Sequence, residues 1–431
     1  MPMGSVASQK GPHGCLFCAL SNGFPTMSER RQPNPVELLS PWRTEKRLAL
    51  QAEARAFAWD VVLPIADELD RKKGEMPRSL IDEMGARGWF GITIPAESGG
   101  LGLGVFEYCL VSEELARAWL SVGSILARGQ GLGTQTLEAA RRRDLLKKSA
   151  RGQWIGSIAL SESGAGSDLA GVETRAVRDG DNWVLTGTKR WAGFALNADF
   201  IEVLARTRDA EEGEPRSAGL EPFLVVKKPG TFPSGMTGQV IDKVGYHGFM
   251  TYDLVLDGVR VPESDRLTGL YGDQGADADS GGFASVQRGL NIARVHTAAR
   301  AVGVAQGALE DTWAYLQERE QFGQALAEFQ ALRFALADMA ADVAQARAYW
   351  QQVAHLLDAG EAAESESAQV KLLTTEMAVR VTNQAMQLHG GNGYTTERRV
   401  ERYWRDARLT TIFEGTSEIQ RRIISDRMLG K

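Results

Sequence analysis

From Phe329 to Leu357 nine apolar residues recur at alternating steps of three and four: Phe329, Leu332, Leu336, Met339, Val343, Ala346, Trp350, Val353 and Leu357. That spacing keeps all nine on one side of an α-helix, and a seam this long needs other helices to cover it. Packing near about +20°, as in antiparallel bundles, is expected. The polar stretch DAGEAAESES (358–367) then turns the chain into a second long helix, predicted over about 368–388. Helical spacing also governs roughly residues 36–150. Leu50, Ala54, Phe57 and Val61 recur until Pro64, which is expected to break the run, Pro77 opens another helix, and the Gly-rich segment 92–104 leads into a helix over 106–118.

Between about 151 and 260 the period drops to two. Strands are expected in QWIGSIAL, VETRAVR, NWVLTGTK, DFIEVLART, PFLVVKK and TYDLVLDGVRV, with a hairpin turn at 178–181, an exposed loop at 208–219 and a Gly/Asp-rich return to helices at 271–282. The fold class is α+β multidomain: a leader (1–35), an α-helical N-terminal domain (36–152), a β-barrel-like middle domain (153–275) and a C-terminal four-helix bundle (276–431).

A net charge of −6 leaves no basic excess to neutralise a phosphate backbone, so nucleic acid is not an expected partner. The cluster Arg141, Arg142, Arg143, Lys147 and Lys148 reads as a solvated helix face. No apolar run approaches the roughly 20 residues of a spanning helix, so a soluble, cytoplasmic protein is expected and no membrane partner. Three cysteines are too few for a disulfide framework, and Cys15 and Cys18 stand in a Gly-, Ser- and Pro-rich leader, so no metal site is expected. The leader has no h-region of useful length, and Met27 is an alternative start.

Three loci carry residues that packing does not require. In ALSESGAGSD (159–168) Gly164 and Gly166 let backbone N–H groups approach a ligand, and Ser161 and Ser167 add hydroxyls, although Gly and Ser also make ordinary turns. In GTKRWAGFALNAD (187–199) Trp191 follows two cations where a strand should turn, placing an indole as a wall for a flat ligand or simply in the core. REQFGQALAEFQ, QLHGGNGYTTERR and FEGTSEIQR put Arg319, Gln330, Gln387, the pair Gly390 and Gly391, and Thr416 at helix ends, where donors and helix dipoles suit a pyrophosphate.

Taken in order, LSESGAGSD, TGTKRW, REQFG, QLHGGNGY and RDARLTTIFEGTSEIQR resemble the blocks of the flavin-dependent acyl-CoA dehydrogenase family over about residues 45–428. The resemblance implies the three-domain fold read above, FAD between the middle and last domains, and a homotetramer built as a dimer of dimers. Ser161, Trp191 and Gly193 would then border the flavin. Arg319, Gln321, Phe322, Gln330, Gln387, Gly390 and Gly391 would hold the adenine-diphosphate end across a subunit boundary, with Thr416 and Glu418 adding contacts. Ser167, Asn291, Arg294 and Gly415 match substrate-binding positions. Glu414 matches the catalytic base, which removes the α proton of an acyl-CoA thioester while FAD accepts the β hydride, giving the trans-2-enoyl-CoA and passing electrons to an electron-transfer flavoprotein. Its apolar neighbours Ile412 and Phe413 are expected to exclude water and raise its pKa. As a plain helix-cap acid, Glu414 would instead sit on the dipole of the following helix.

This chain departs from the family pattern at Trp191-Ala192-Gly193, where members commonly read Trp-Ile-Thr. Losing that hydroxyl bears on flavin reactivity and motivates an oxidase or monooxygenase as an alternative, unless the Gly193 N–H substitutes. Some members keep the base at the position of Ala293, which cannot take a proton. His247 reads as structural, and His389 as packed near the cofactor phosphates. A carrier-protein-bound acyl group and a non-catalytic subunit of a mixed oligomer are further alternatives. No motif fixes the acyl group, although the small, polar ARGQGLG (127–133) hints at room for a functionalised chain.

Overall fold

The computed structural model describes residues 42–267 and 282–430, so the leader with Cys15, Cys18 and Met27 and most of the loop 271–282 lie outside it. The first helices are α1 (Glu45–Phe57) and α2 (Leu63–Leu69). Pro64 does not break the run between them. A π-helical turn, Ala58–Val62, carries the chain through, and Pro64 falls in the first turn of α2, where its missing N–H is no loss. α3 (Arg78–Ala86), α4 (Val105–Ala118), α5 (Leu120–Ile125) and α6 (Ala139–Ala150) complete this part. Arg142, Arg143, Lys147 and Lys148 on α6 are exposed, as a solvated face requires.

Seven strands follow: β1 (Gly156–Ala159), β2 (Arg175–Asp179), β3 (Asn182–Gly193), β4 (Phe200–Arg206), β5 (Leu220–Val226), β6 (Met236–Val240) and β7 (Thr251–Pro262). They run in the order β1-β4-β2-β3-β7-β6 with β5 paired to β4. The β2–β3 hairpin turns at Gly180, in the left-handed region at φ +61. A register shift in the β3–β7 ladder between Lys189 and Ala192 re-aims the intervening residues. The sheet closes over its own apolar interior, including Leu185, Ile201, Phe223 and Leu254. β6 has no period-two signature in the sequence, because only Met236 of its five residues is buried.

The C-terminal helices are α7 (Gly282–Glu318), α8 (Gln330–Asp358), α9 (Glu364–His389), α10 (Val400–Thr410) and α11 (Ser417–Met428), with a tight hairpin of β8 (Glu320–Gln321) and β9 (Gln324–Ala325) before α8. α9 begins earlier than the spacing predicts, inside the acidic stretch. The expected seam on α8 is buried from Met339 to Leu357, whereas Phe334 beside its first half is 60% exposed.

One core joins the first and last helical parts, around Trp89, Phe106, Trp119 and Trp350. α4 is its pin and is buried almost all round. Its charges are consumed internally: Glu114 takes Arg55 at 2.8 Å and Arg117 at 3.1 Å, and Glu113 takes Arg347 and the Trp350 indole, both at 2.7 Å. Burial pushes the Glu114 carboxyl up, but the two arginines more than offset it and hold it down at about 2. Gly303 and Gly307 let α7 lie against the α4 carbonyls of Glu113 and Arg117, where a Cβ would collide.

Candidate active site

Glu414 lies in the turn between α10 and α11 and is itself left-handed at φ +54, followed by Gly415 at φ +88. Such a pair is strained for a non-glycine residue and needs external ties. Lys371 on α9 supplies one, donating to the Gly415 carbonyl at 2.6 Å, and the Gln420 amide supplies another at 3.0 Å. The cap of α11 is Thr416, whose hydroxyl accepts from the Ile419 N–H at 3.3 Å. Glu414 is therefore free of capping duty and turns toward α7.

There its carboxylate meets Arg300 at 2.8 Å and the Thr297 hydroxyl, which donates to it. Arg300, 1% exposed, also bonds the Ser124 hydroxyl at 2.6 Å and the Thr297 hydroxyl at 2.8 Å, with the Phe413 ring beneath it. The expected rise in the Glu414 pKa is corrected by this arrangement. Burial does push it up, but the charge of Arg300, the hydrogen bonds from Thr297 and Arg300, and the charge of Arg128 together bring it below its ordinary value. Its side chain keeps 30% of its surface, so the carboxylate is still accessible.

Around this pair stand Tyr108, His296 and Tyr246, all neutral. Tyr108 and His296 stack at 4.4 Å; burial raises the phenol well up and, with the charge of Arg300, pushes the imidazole well down. Arg128, Thr297, Arg300 and Lys371 escape sequence reasoning. The one signal for the α7 pair is their spacing, 297 and 300, on a helix face otherwise made of Ala and Val.

The other expected site residues spread along the faces that flank this pair. Trp191 is not in the core: it is 53% exposed, at φ +68, with the Arg190 guanidinium 4.7 Å over its ring. The Ser161 carbonyl accepts from the Arg190 N–H at 2.8 Å, tying the 159–168 loop to this strand, and open space surrounds the positions where Gly164 and Gly166 would carry a Cβ. Ser167 is exposed. Gly193 sits in the ladder opposite Thr251, and the Phe249 ring closes over its Cα so that no side chain fits. Thr416 and Glu418 line a cleft of about 270 Å³ with Glu376, Arg408 and Ile412.

Asn291 and Arg294 are joined at 2.7 Å on α7, and the Asn291 amide also donates to the Ala362 carbonyl. Arg319, Gln321, Phe322, Gln330, Gln387, Gly390 and Gly391 are all exposed within this chain, Phe322 by 94%. They do not meet the Glu414 cluster. His247 is structural, hydrogen-bonded to the Asp70 carbonyl at 3.0 Å, and His389 is buried and stacked on Tyr315 at 4.3 Å. No helix among the described residues is long and apolar enough to cross a membrane.

Three family models match the chain in succession: the acyl-CoA dehydrogenase N-terminal domain over residues 44–153, the middle domain over 157–259 and the C-terminal domain over 280–429. The chain is 38% identical over 388 residues to (2S)-methylsuccinyl-CoA dehydrogenase of Cereibacter sphaeroides, covering 88% of this chain and 69% of that protein. It is 35% identical to the caffeyl-CoA reductase-Etf complex subunit CarC of Acetobacterium woodii, covering 90% and 99%. Its fold superposes on a glutaryl-CoA dehydrogenase from Mycobacterium smegmatis, solved with FADH2, with a TM-score of 0.81 at 27% identity, covering 93% and 99%. With all three domains matched in order over nearly its whole described length, the chain belongs to the acyl-CoA dehydrogenase family of FAD-dependent oxidoreductases.

Proposed function

We propose that this enzyme removes an α proton and a β hydride from an acyl-CoA thioester to give the trans-2-enoyl-CoA, with Glu414 as the base. The observation that carries the reading is the Glu414 carboxylate itself, ionised, held by Arg300 and Thr297, yet part-exposed. An α C–H beside a thioester is a weak acid, so the base must be deprotonated beforehand and aimed. Arg300 and Thr297 fix its direction, and Lys371 and Gln420 fix the turn that carries it. The low basicity set by Arg300 is relieved when a bound thioester covers the exposed part of the carboxylate and removes its water.

The residues present fit FAD. An exposed indole beside an arginine suits a flat ring, the open Gly164 and Gly166 loop suits close backbone approach, and the cleft headed by the capped start of α11 suits a phosphate-bearing arm. Ser161, Trp191 and Gly193 would hold the ring, and Thr416 and Glu418 the arm. Arg319, Gln321, Phe322, Gln330, Gln387, Gly390 and Gly391 would serve a second copy in a tetramer, which their exposure and that of Phe334 support. When bound, FAD supplies the two-electron acceptor for the β hydrogen. Ser167, Asn291, Arg294 and Gly415 take the CoA thioester. The domain limits are 36–152, 153–275 and 276–431, and the protein acts in the cytoplasm.

A relative from an Etf complex supports an electron-transfer flavoprotein as acceptor. A second reading, a flavin oxidase, rests on Gly193, where Phe249 leaves no room for a hydroxyl. Purified protein should be yellow and should bleach anaerobically on addition of butyryl-CoA or glutaryl-CoA, with the enoyl product recovered. Stoichiometric peroxide in air would favour the oxidase. A colourless protein unable to take up FAD would sink both readings.

A further inference from the structure

Arg128 bears on Glu414 only through its charge. It ends the short 3-10 turn Leu126–Arg128 after α5, and the ring centre of Phe249 lies 5.5 Å from its guanidinium. Its Nε is buried without a partner, and the side chain makes no hydrogen bond or ion pair among the described residues. A guanidinium cannot shed its proton to escape burial, so a half-buried one with no carboxylate partner is a ready receptor for an anion.

Among the described residues, the neighbours supply no anion that is not already paired. Tyr108 from α4 and Tyr246 from the loop before β7 are neutral phenols, Arg300 from α7 is a second cation, and Glu414 is the only carboxylate whose charge bears strongly on Arg128. That carboxylate is already paired to Arg300. Among the described residues Arg128 is therefore left without a carboxylate of its own, within reach of the charge of Glu414.

A ligand must bring the balancing anion. The CoA phosphates are poor candidates, because a pantetheine arm spans roughly 14 Å if extended like four residues of chain, which removes them from a thioester at Glu414. The surroundings of Arg128 are also aromatic, with Tyr108, Tyr246 and Phe249 buried. A small anion at the far end of the acyl chain meets both constraints. We propose that the acyl group ends in a carboxylate, received by Arg128 in a charge-assisted pair while Glu414 faces the α carbon. This rests on the dehydrogenation proposed above and names its substrate class.

The test uses the FAD-loaded enzyme with succinyl-CoA, glutaryl-CoA and butyryl-CoA, reading anaerobic flavin reduction and, separately, binding by calorimetry. The wild type should favour a carboxylated thioester over butyryl-CoA by roughly 10- to 100-fold in kcat/KM and in Kd, the worth of one charged hydrogen bond. Arg128→Gln should collapse that ratio toward one, and Arg128→Lys should restore part of it. Preference of the wild type for butyryl-CoA overturns the inference while leaving the dehydrogenase reading intact. So does an equal loss for all three thioesters in Arg128→Gln, which would make the residue structural. If no thioester reduces the flavin, both proposals fall together.

Discussion

Replacing Arg300 with methionine tests how the base is held. Arg300 is 1% exposed and is shared by Glu414, Ser124 and Thr297, so its removal leaves a carboxylate without its counter-charge. Breaking one side of a buried pair costs about 3–5 kcal/mol, and because Glu414 keeps 30% of its side-chain surface the lower end, about 3 kcal/mol, applies. The larger consequence is for basicity. In the wild type the carboxyl lies below its ordinary 4.5, so the base is ionised throughout the working range and activity should fall only as pH drops below that value.

Without Arg300, burial, the largest influence on this carboxyl, is less opposed and the pKa rises. The rate of anaerobic flavin reduction, followed from pH 5 to 8, should then acquire an acid limb that the wild type lacks. Stability follows the same sign: the depressed Glu414 pKa contributes stability present above pH 4.5 and lost as pH falls through the folded value. The melting difference between wild type and variant should therefore narrow toward acid. A folded Arg300→Met protein with no acid limb between pH 5 and 8 would refute the reasoning.

Two further substitutions probe the supports. Gly193→Thr should lower stability by about 1–3 kcal/mol, because the new side chain overlaps the Phe249 ring, and shrinking that ring in a Gly193→Thr, Phe249→Leu double variant should recover a measurable part in thermal melts. Lys371, with no exposed surface, is pushed down to about 8 by burial despite the attraction of Glu414, so its unfolded form holds the proton more tightly. Wild-type stability should accordingly gain up to about 3 kcal/mol as pH rises from 8 to 10.5, and urea midpoints of Lys371→Met at pH 7.5 and 9.5 should lack that gain.

The seam from Phe329 and the period-two runs made the helix, sheet and helix order readable, because burial on one face leaves a repeating mark. Pro64 misled, since a π-turn just upstream lets the helix pass it. β6 left no mark because it buries so little. Glu414 stood out as a candidate from its block, but its electrostatics were not legible. Ile412 and Phe413 suggest a dry, weakly acidic group, whereas the partner that decides the matter, Arg300, is 114 residues away in sequence and sits in an Ala-rich helix where an arginine looks solvated. Arg128 was hidden in the same way, inside a stretch noticed only for being small and polar.

The central claim is that Glu414 takes the α proton, and Glu414→Gln tests it most directly because the amide keeps the shape and removes the charge. Mixed anaerobically with acyl-CoA in single turnover, the FAD-loaded variant should still bind the thioester but reduce its flavin roughly 100- to 10,000-fold more slowly than the wild type. Reduction at the wild-type rate would contradict the account.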